Sequence, residues 1–324
     1  MVHHLNNDRF DEKTINQAWE LIKSAQKVTL LTHKTPDGDG ISACAAMDEI
    51  LLKYDISVEC IYPSAPEQEL HRHAHNVLIN NHGHIPDLII AFDTANYERL
   101  YYPDVFKKIP LINIDHHVSN KINGLYNLVD GQASSTCELL FQLLHKWDPA
   151  NITSSVAESL LVGLLYDSQV FQTQSTTPQT LRIAADLMDR GAALFTLKND
   201  LFTNKNPQII SLWGDLLQRT IVVPDKQATW TYLTQHDLRT RNVDMPAVVG
   251  FNNFLAQISA VDITLFLYET ATGETKVSLR SKQADVNKLA QRFGGGGHKH
   301  ASGILSSTPI DQLAPLILAQ INKS

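Results

Sequence analysis

Cysteine is scarce in this chain: three in 324 residues, Cys44, Cys60 and Cys137. An odd number with no CxxC spacing excludes a disulfide framework and a zinc ribbon. The three read as buried thiols in a reducing compartment. Long apolar runs are missing too. None reaches the roughly eighteen residues of a membrane span, so no membrane partner is expected. The first residues, MVHHLNNDRF, lack the basic-then-apolar order of a signal peptide. The expected location is cytoplasmic. Basic residues are outnumbered, 27 Lys and Arg against 34 Asp and Glu, for a net charge of −7. Proteins that grip long nucleic acid neutralise many phosphates and present a basic face. The balance therefore argues against long nucleic acid and for a short phosphorylated ligand, or for metal held by acids. Repeats and low-complexity segments are absent as well. The sequence is silent on oligomeric state, which leaves a homodimer open.

What is present is ordinary globular composition, 43% hydrophobic and 19% charged, at a length that suggests two domains. The first half alternates apolar β-type runs with helical patterns. Strands are expected at 28–32, 57–62, 88–92 and 111–114, with helices at 41–54, 151–166 and 177–190. Thr177-Pro178 opens the last of these as cap and first turn, and Gly191 follows it. This alternation predicts an α/β fold with a parallel sheet. It fades around 196–215, where Asn206-Pro207 marks a linker. Beyond lies a smaller α/β domain: alternating strands at 263–269 and 276–279 joined through Thr272-Gly273, then a short helix at 285–293 running into Gly294–Gly297.

The acids and histidines fall at telling places. His33, Asp37 and Asp39 follow the first strand, Asp93 ends the LIIAF run, and Asp115-His116-His117 ends the LINI run. Ligands of open parallel sheets bind beyond the carboxyl ends of the strands. Asp167, after an apolar helix, is a further candidate. Any one of these acids is better explained as a turn former or helix cap. The whole set is not, because uncompensated acids crowded together would cost several kcal/mol each. A bound cation removes that cost. Mixed His and carboxylate ligands suit Mn²⁺, Fe²⁺, Co²⁺ or Zn²⁺ rather than Ca²⁺. The ligands exceed the needs of one ion, so two are expected. Such a pair stabilises both attacking and leaving oxygens of a phosphate displacement. Hydrolysis of a phosphoester or phosphoanhydride follows.

Gly294–Gly297 precede His298 and follow a helix, so the run is no P-loop. Consecutive glycines allow close backbone approach to an anion. Beside Arg280-Ser281, the expectation is a phosphate pocket that includes Gly295, Gly296, Gly297 and His298. The histidines between His71 and His84 are expected to be solvated surface. Trp147, Trp213 and Trp230 are expected to be packing residues.

Together these motifs resemble the DHH phosphoesterase superfamily, named for Asp115-His116-His117, and the likeness covers nearly the whole chain. His33–Asp39 (HKTPDGD) is similar to the first motif, Asp93 to the second and Asp167 to the fourth. Arg280-Ser281, Gly294–His298 and Ala301-Ser302-Gly303 resemble the DHH-associated domain. The resemblance implies His33 and Asp37 on one ion, Asp39, His116 and Asp167 on the other, and Asp93 bridging. Asp115 and His117 would be catalytic, with His117 beside the substrate phosphate. It implies two divalent ions, Mn²⁺ first, a metal domain over 1–195 and a substrate domain over 216–324. The likeness is greatest to the nanoRNase and 3′-phosphoadenosine-5′-phosphate (pAp) phosphatase group, through 113–120, 133–136 and 176–178. The expected substrates are short RNA and pAp. One departure stands out: Gly40-Ile41-Ser42-Ala43 replaces the usual Ala-x-Gly-Ser.

Other readings make different demands. A family II pyrophosphatase should lack the glycine run with its histidine, and a RecJ-type exonuclease should be longer. A stand-alone cyclic di-AMP or pApA phosphodiesterase is the alternative. A non-catalytic nucleotide sensor predicts a missing ligand, and none is missing.

Overall fold

The computed structural model describes residues 10–321 apart from 67, 75, 204–206 and 249. The chain divides into two compact units, Met1–Thr203 and Asn204–Ser324. The first contains α1 (Glu12–Ser24), β1 (Lys27–Leu31), α2 (Gly38–Leu52), β2 (Ser57–Tyr62), β3 (Val77–Ile79) and β4 (Leu88–Phe92). It continues with β5 (Leu111–Asp115), β6 (Tyr126–Val129), α3 (Thr136–Trp147), α4 (Ser154–Asp167), α5 (Pro178–Asp189) and α6 (Leu194–Lys198).

These strands form one parallel sheet in the order β3-β2-β1-β4-β5-β6. The chain winds outward one way from β1 and the other way from β4. The crevice between their carboxyl ends is thus a topological switch point, where open α/β sheets take ligands. All five residues of β4 are buried, as a strand covered on both faces requires. Helices α2, α3 and α4 meet over one face. A side chain at Gly163 would lie 2.3 Å from Cys137 Sγ and 2.7 Å from Asp39 Oδ1, so this glycine permits their close approach. Trp147 packs as expected, stacked 5.3 Å from Trp19, and the three cysteines are buried and unpaired.

The second unit contains α7 (Pro207–Gln218), β7 (Ile221–Val223), β8 (Ala228–Leu233), α8 (Gln235–Arg241), α9 (Phe251–Ile258) and β9 (Ile263–Glu269). Then come β10 (Thr275–Ser281), α10 (Val286–Gln291), β11 (Gly296–His298), β12 (Ala301–Ser306) and α11 (Ile310–Gln320). Its sheet runs β11-β12-β10-β9-β8-β7, antiparallel except for β8 beside β9. Leu265, Leu267, Val277 and Leu279 pack with α10 and α11, while Phe266 packs with Phe251 and Leu255 of α9.

The stretch 196–215, helix-like in sequence, is largely helical through the end of α6, a π-turn at Asn199–Thr203 and the start of α7. One expectation changes. The histidine-rich stretch is not uniformly solvated: His73 is buried, His82 Nδ1 lies 2.7 Å from Tyr101 Oη, and His84 Nδ1 lies 2.9 Å from Glu59 Oε1. Neutral and acidic partners absorb these rings locally. His75 is outside the described residues.

Candidate functional site

His33 follows β1, Asp93 follows β4 and Asp115-His116-His117 close β5, so the sheet itself delivers them to the switch-point edge. Asp37 caps α2, accepting from Asp39 N at 3.1 Å and Gly40 N at 3.3 Å. Asp39 is buried in the first turn of that helix, and Asp167 is the last residue of α4. Asp93 has left-handed backbone, φ 53°. That conformation costs a side-chain-bearing residue on the order of 1–3 kcal/mol and tends to occur at functional sites.

The distances join these residues into one cluster. His33 Nε2 lies 3.5 Å from Asp37 Oδ2 and 3.3 Å from Asp93 Oδ2. His116 Nε2 lies 3.0 Å from Asp167 Oδ2 and 3.5 Å from Asp93 Oδ1. Three sets, His33–Asp37–Asp93, Asp39–His116–Asp167 and Asp93–His116–His117, each gather their ligand atoms within 4.8 Å. Asp93 turns one oxygen toward His33 and the other toward His116, and so sits between the first two sets.

The carboxylates do not share one protonation state. Burial, then neighbouring Asp167 and Asp93, push Asp39 well above the usual carboxylate range. Burial lifts Asp167 to about 6 against the pull of His116. At Asp93 burial is overridden by hydrogen bonds from His116 and His33, which hold it well below that range. Two influences oppose at His33. Burial disfavours its charge, yet Asp37 and Asp93 raise it to about 10. Arg99 Nη2, 3.1 Å from its Nδ1, acts the other way, because a guanidinium can only donate. Four buried or half-buried carboxylates interleaved with imidazoles form a donor set that fits divalent transition metals.

Asp115 stands outside these sets. Fully buried, it accepts from His116 N at 2.8 Å, His117 Nδ1 at 2.7 Å and Asn120 Nδ2 at 2.5 Å. It therefore fixes the ring of His117. Some contributors have no obvious sequence signal. The N–H groups of Thr136 and Cys137, at the start of α3, donate to Asp39 at 2.6 and 2.9 Å, and Thr136 Oγ1 reaches Asp93 Oδ1 at 3.3 Å. Ser135 caps α3 by accepting from Glu138 N, and so fixes the helix start that faces Asp39.

In the second unit the glycine run is a strand rather than a loop. Gly296, Gly297 and His298 pair with Gly303, Ser302 and Ala301. A side chain at Gly295 would meet Gly303 O at 2.1 Å and one at Gly297 would meet Ala301 O at 2.6 Å; Gly294 and Gly297 also have φ of 73° and 148°. Close approach to β12 thus accounts for Gly295 and Gly297, and left-handed backbone for Gly294. Gly296 is exposed, with nothing nearer than Asn287 Oδ1 at 3.9 Å. Ala301 pairs both with His298 and with Arg280. Arg280 and His298 therefore stand on one row of one face, about 10 Å apart at two strand spacings. Arg280 is half-buried, and its hydrogen-bond partners are neutral: Asn253 Oδ1 at 2.7 Å, Leu279 O at 2.9 Å and Ser278 Oγ at 3.3 Å. Ser281 Oγ donates to Ala284 O at 2.6 Å, which commits it to the turn.

Comparison with known proteins places this architecture. The DHH family, N-terminal domain, matches residues 27–164, and the DHHA1 domain matches 229–323. The chain carries a DHH family N-terminal domain followed by a DHHA1 domain. With the relatives below, these domains make it an enzyme of phosphoric ester hydrolysis. This DHH protein is 27% identical over 284 residues to the bifunctional oligoribonuclease and PAP phosphatase NrnA of Bacillus subtilis, across 85% of this chain and 88% of that one. It is 26% identical to the NrnA of Thermus thermophilus, across 94% and 92%. Its fold matches an exopolyphosphatase-related protein from Bacteroides fragilis with TM-score 0.89 at 23% identity, covering 95% and 96%. No helix among the described residues is long and apolar enough to cross a membrane.

Proposed function

We propose that this DHH protein is a phosphoesterase dependent on two metal ions, acting on short oligoribonucleotides and pAp in the cytoplasm. The observation that carries it is Asp93, one oxygen toward each of two His/Asp sets at the switch-point edge. His33, Asp37 and Asp93 would hold one ion, and Asp39, His116, Asp167 and Asp93 the other. Mn²⁺ suits this mixture of imidazole and carboxylate. When bound, such ions supply charge stabilisation at phosphorus and an activated water.

The chain's own residues do the rest. Asp115 fixes the ring of His117 through Nδ1, and that oriented imidazole would handle a proton at the substrate phosphate. Arg280 offers a planar fork to a second phosphate, and exposed Gly296 leaves the backbone open beside His298. The NrnA relatives, named for oligoribonuclease and PAP phosphatase activity and covered over most of their length, support this choice of substrates.

The test is a product time course with Mn²⁺ on 5′-phosphorylated dinucleotide, longer RNA, pAp and cyclic di-AMP side by side. Dinucleotide and pAp should be turned over fastest, and Asp93→Ala should be inactive. Preference for cyclic di-AMP would replace this substrate reading with a cyclic-dinucleotide one. Full activity after exhaustive chelation would remove the ions from the mechanism.

A further inference from the structure

Arg99 has no role in the ligand sets, yet it reaches their edge. It lies on a short turn, Tyr97–Arg99, six residues after Asp93. That turn is anchored by buried Leu100 and by Tyr97, whose ring packs 5.0 Å from Tyr102 and whose hydroxyl donates to Asn123 O. The guanidinium is half-buried. It lies 3.1 Å from His33 Nδ1 and 3.5 Å from Thr35 Oγ1, both without negative charge.

Hydrogen-bond chemistry limits how long Arg99 can stay there. A guanidinium only donates. An imidazole that gives Nε2 to a metal carries its proton on Nδ1 and must donate it to an acceptor. A proton on Nδ1, favoured by the carboxylates at Nε2 and required once Nε2 faces an ion, sets two donors against each other across 3.1 Å. Thr35 Oγ1, 3.3 Å from the same Nδ1, is the acceptor in place for that proton. Arg99 is then displaced from the ring. Charge points the same way. Four carboxylates, Asp37, Asp39, Asp93 and Asp167, balance two dications and leave no surplus negative charge for Arg99 to pair with. An anionic third party is required, and it must arrive at the mouth of the same cluster.

We propose that Arg99 binds the substrate's scissile phosphate, and that loading of the His33 site releases it for that task. The proposal rests on the two-ion reading above. It gives the first unit a phosphate-gripping cation of its own, separate from Arg280.

The experiment compares wild type, Arg99→Lys and Arg99→Met in three measurements: Mn²⁺ stoichiometry, the Kd of adenosine monophosphate for the Mn²⁺-loaded protein, and kcat and KM on pAp. Arg99→Met should bind Mn²⁺ with wild-type stoichiometry. It should bind the monophosphate about tenfold or more weaker, the scale of a lost charged hydrogen bond, with a matching rise in KM. Arg99→Lys should recover part of the loss by keeping the charge. Unchanged monophosphate affinity in Arg99→Met overturns the proposal. So does loss of Mn²⁺ in that variant, which would make Arg99 a support for His33. Should wild type hydrolyse none of the substrates, the phosphoesterase reading fails, and Arg99 is still judged by monophosphate affinity. A loaded wild type that does not bind the monophosphate also overturns it.

Discussion

Gly40 and Thr32 form a pair that neither residue suggests alone. A side chain at position 40 would sit 2.0 Å from Thr32 Oγ1 and 3.4 Å from Asp93 Oδ2. The departure from the family's usual alanine thus compensates a hydroxyl on the preceding strand end. That hydroxyl is buried with no hydrogen-bond partner among the described residues. Gly40→Ala should destabilise by about 1–3 kcal/mol, as overpacking does, and adding Thr32→Ala should recover most of it. Chemical denaturation of the three variants measures both. If Gly40→Ala costs nothing, the two positions are not coupled.

Proton linkage belongs to the same scale. Without ions, Asp39 and Asp167 have raised affinity for protons, Asp167 to about 6, and Asp93 and Asp167 draw a proton onto His116 against burial. Metal ligands must be deprotonated. Loading therefore releases protons, and apparent metal affinity should tighten as pH rises through about 6 and above. Calorimetry of Mn²⁺ binding in two buffers of different ionisation enthalpy reads the release directly. Binding that takes up protons would contradict the sign.

At the scale of elements, the row Arg280–Ala301–His298 is set by strand register. Small Ala301 between the two long side chains leaves room above the strand. Arg280→Ala and His298→Ala should each weaken nucleotide binding by roughly 1.5–3 kcal/mol, as for a hydrogen bond to a charged group. A nitrophenyl phosphodiester with no second phosphate should be cleaved about as well as before. Equal losses in kcat/KM on pAp, dinucleotide and the nitrophenyl diester would assign these side chains to the fold instead. The register itself depends on the glycines. A methyl at 295 or 297 would strike the backbone of β12, so alanine there tests pairing rather than ligand contact.

For the molecule as a whole, a net charge of −7 offers no long electrostatic track. Affinity for single-stranded RNA should stop growing after a few nucleotides, and its salt dependence should be shallow. Filter binding of a series up to a thirty-mer at several salt concentrations measures this. A steep slope for the thirty-mer would reveal a basic path that composition hides.

How much was legible follows from the range of the interactions involved. The α/β class and the strands β1, β2, β4 and β5 could be read because buried parallel strands need apolar runs, which stand out in one dimension, and β9 and β10 could be read from alternation about Thr272-Gly273. Helix α5 announced itself through Thr177-Pro178, a local cap. Strand β3, with three residues, and β6, with four, were not visible, because their pairing comes from neighbours distant in sequence. Strand β11 is the extreme case. Gly296-Gly297-His298 has no strand propensity and becomes a strand only against β12. Helices α1 and α3 carried amphipathic signals that went unread. The ligand-type residues could be named because each follows an apolar run, which is how a sheet presents side chains at its edge. Their mutual arrangement was decided only in three dimensions. The crossing from β1 to β4 brings His33 beside Asp93. The left-handed backbone at Asp93 turns one oxygen to each imidazole, and the start of α3 aims two N–H groups at Asp39. Arg99 owes its place to the same folding, since nothing in its sequence neighbourhood singles it out from a surface arginine.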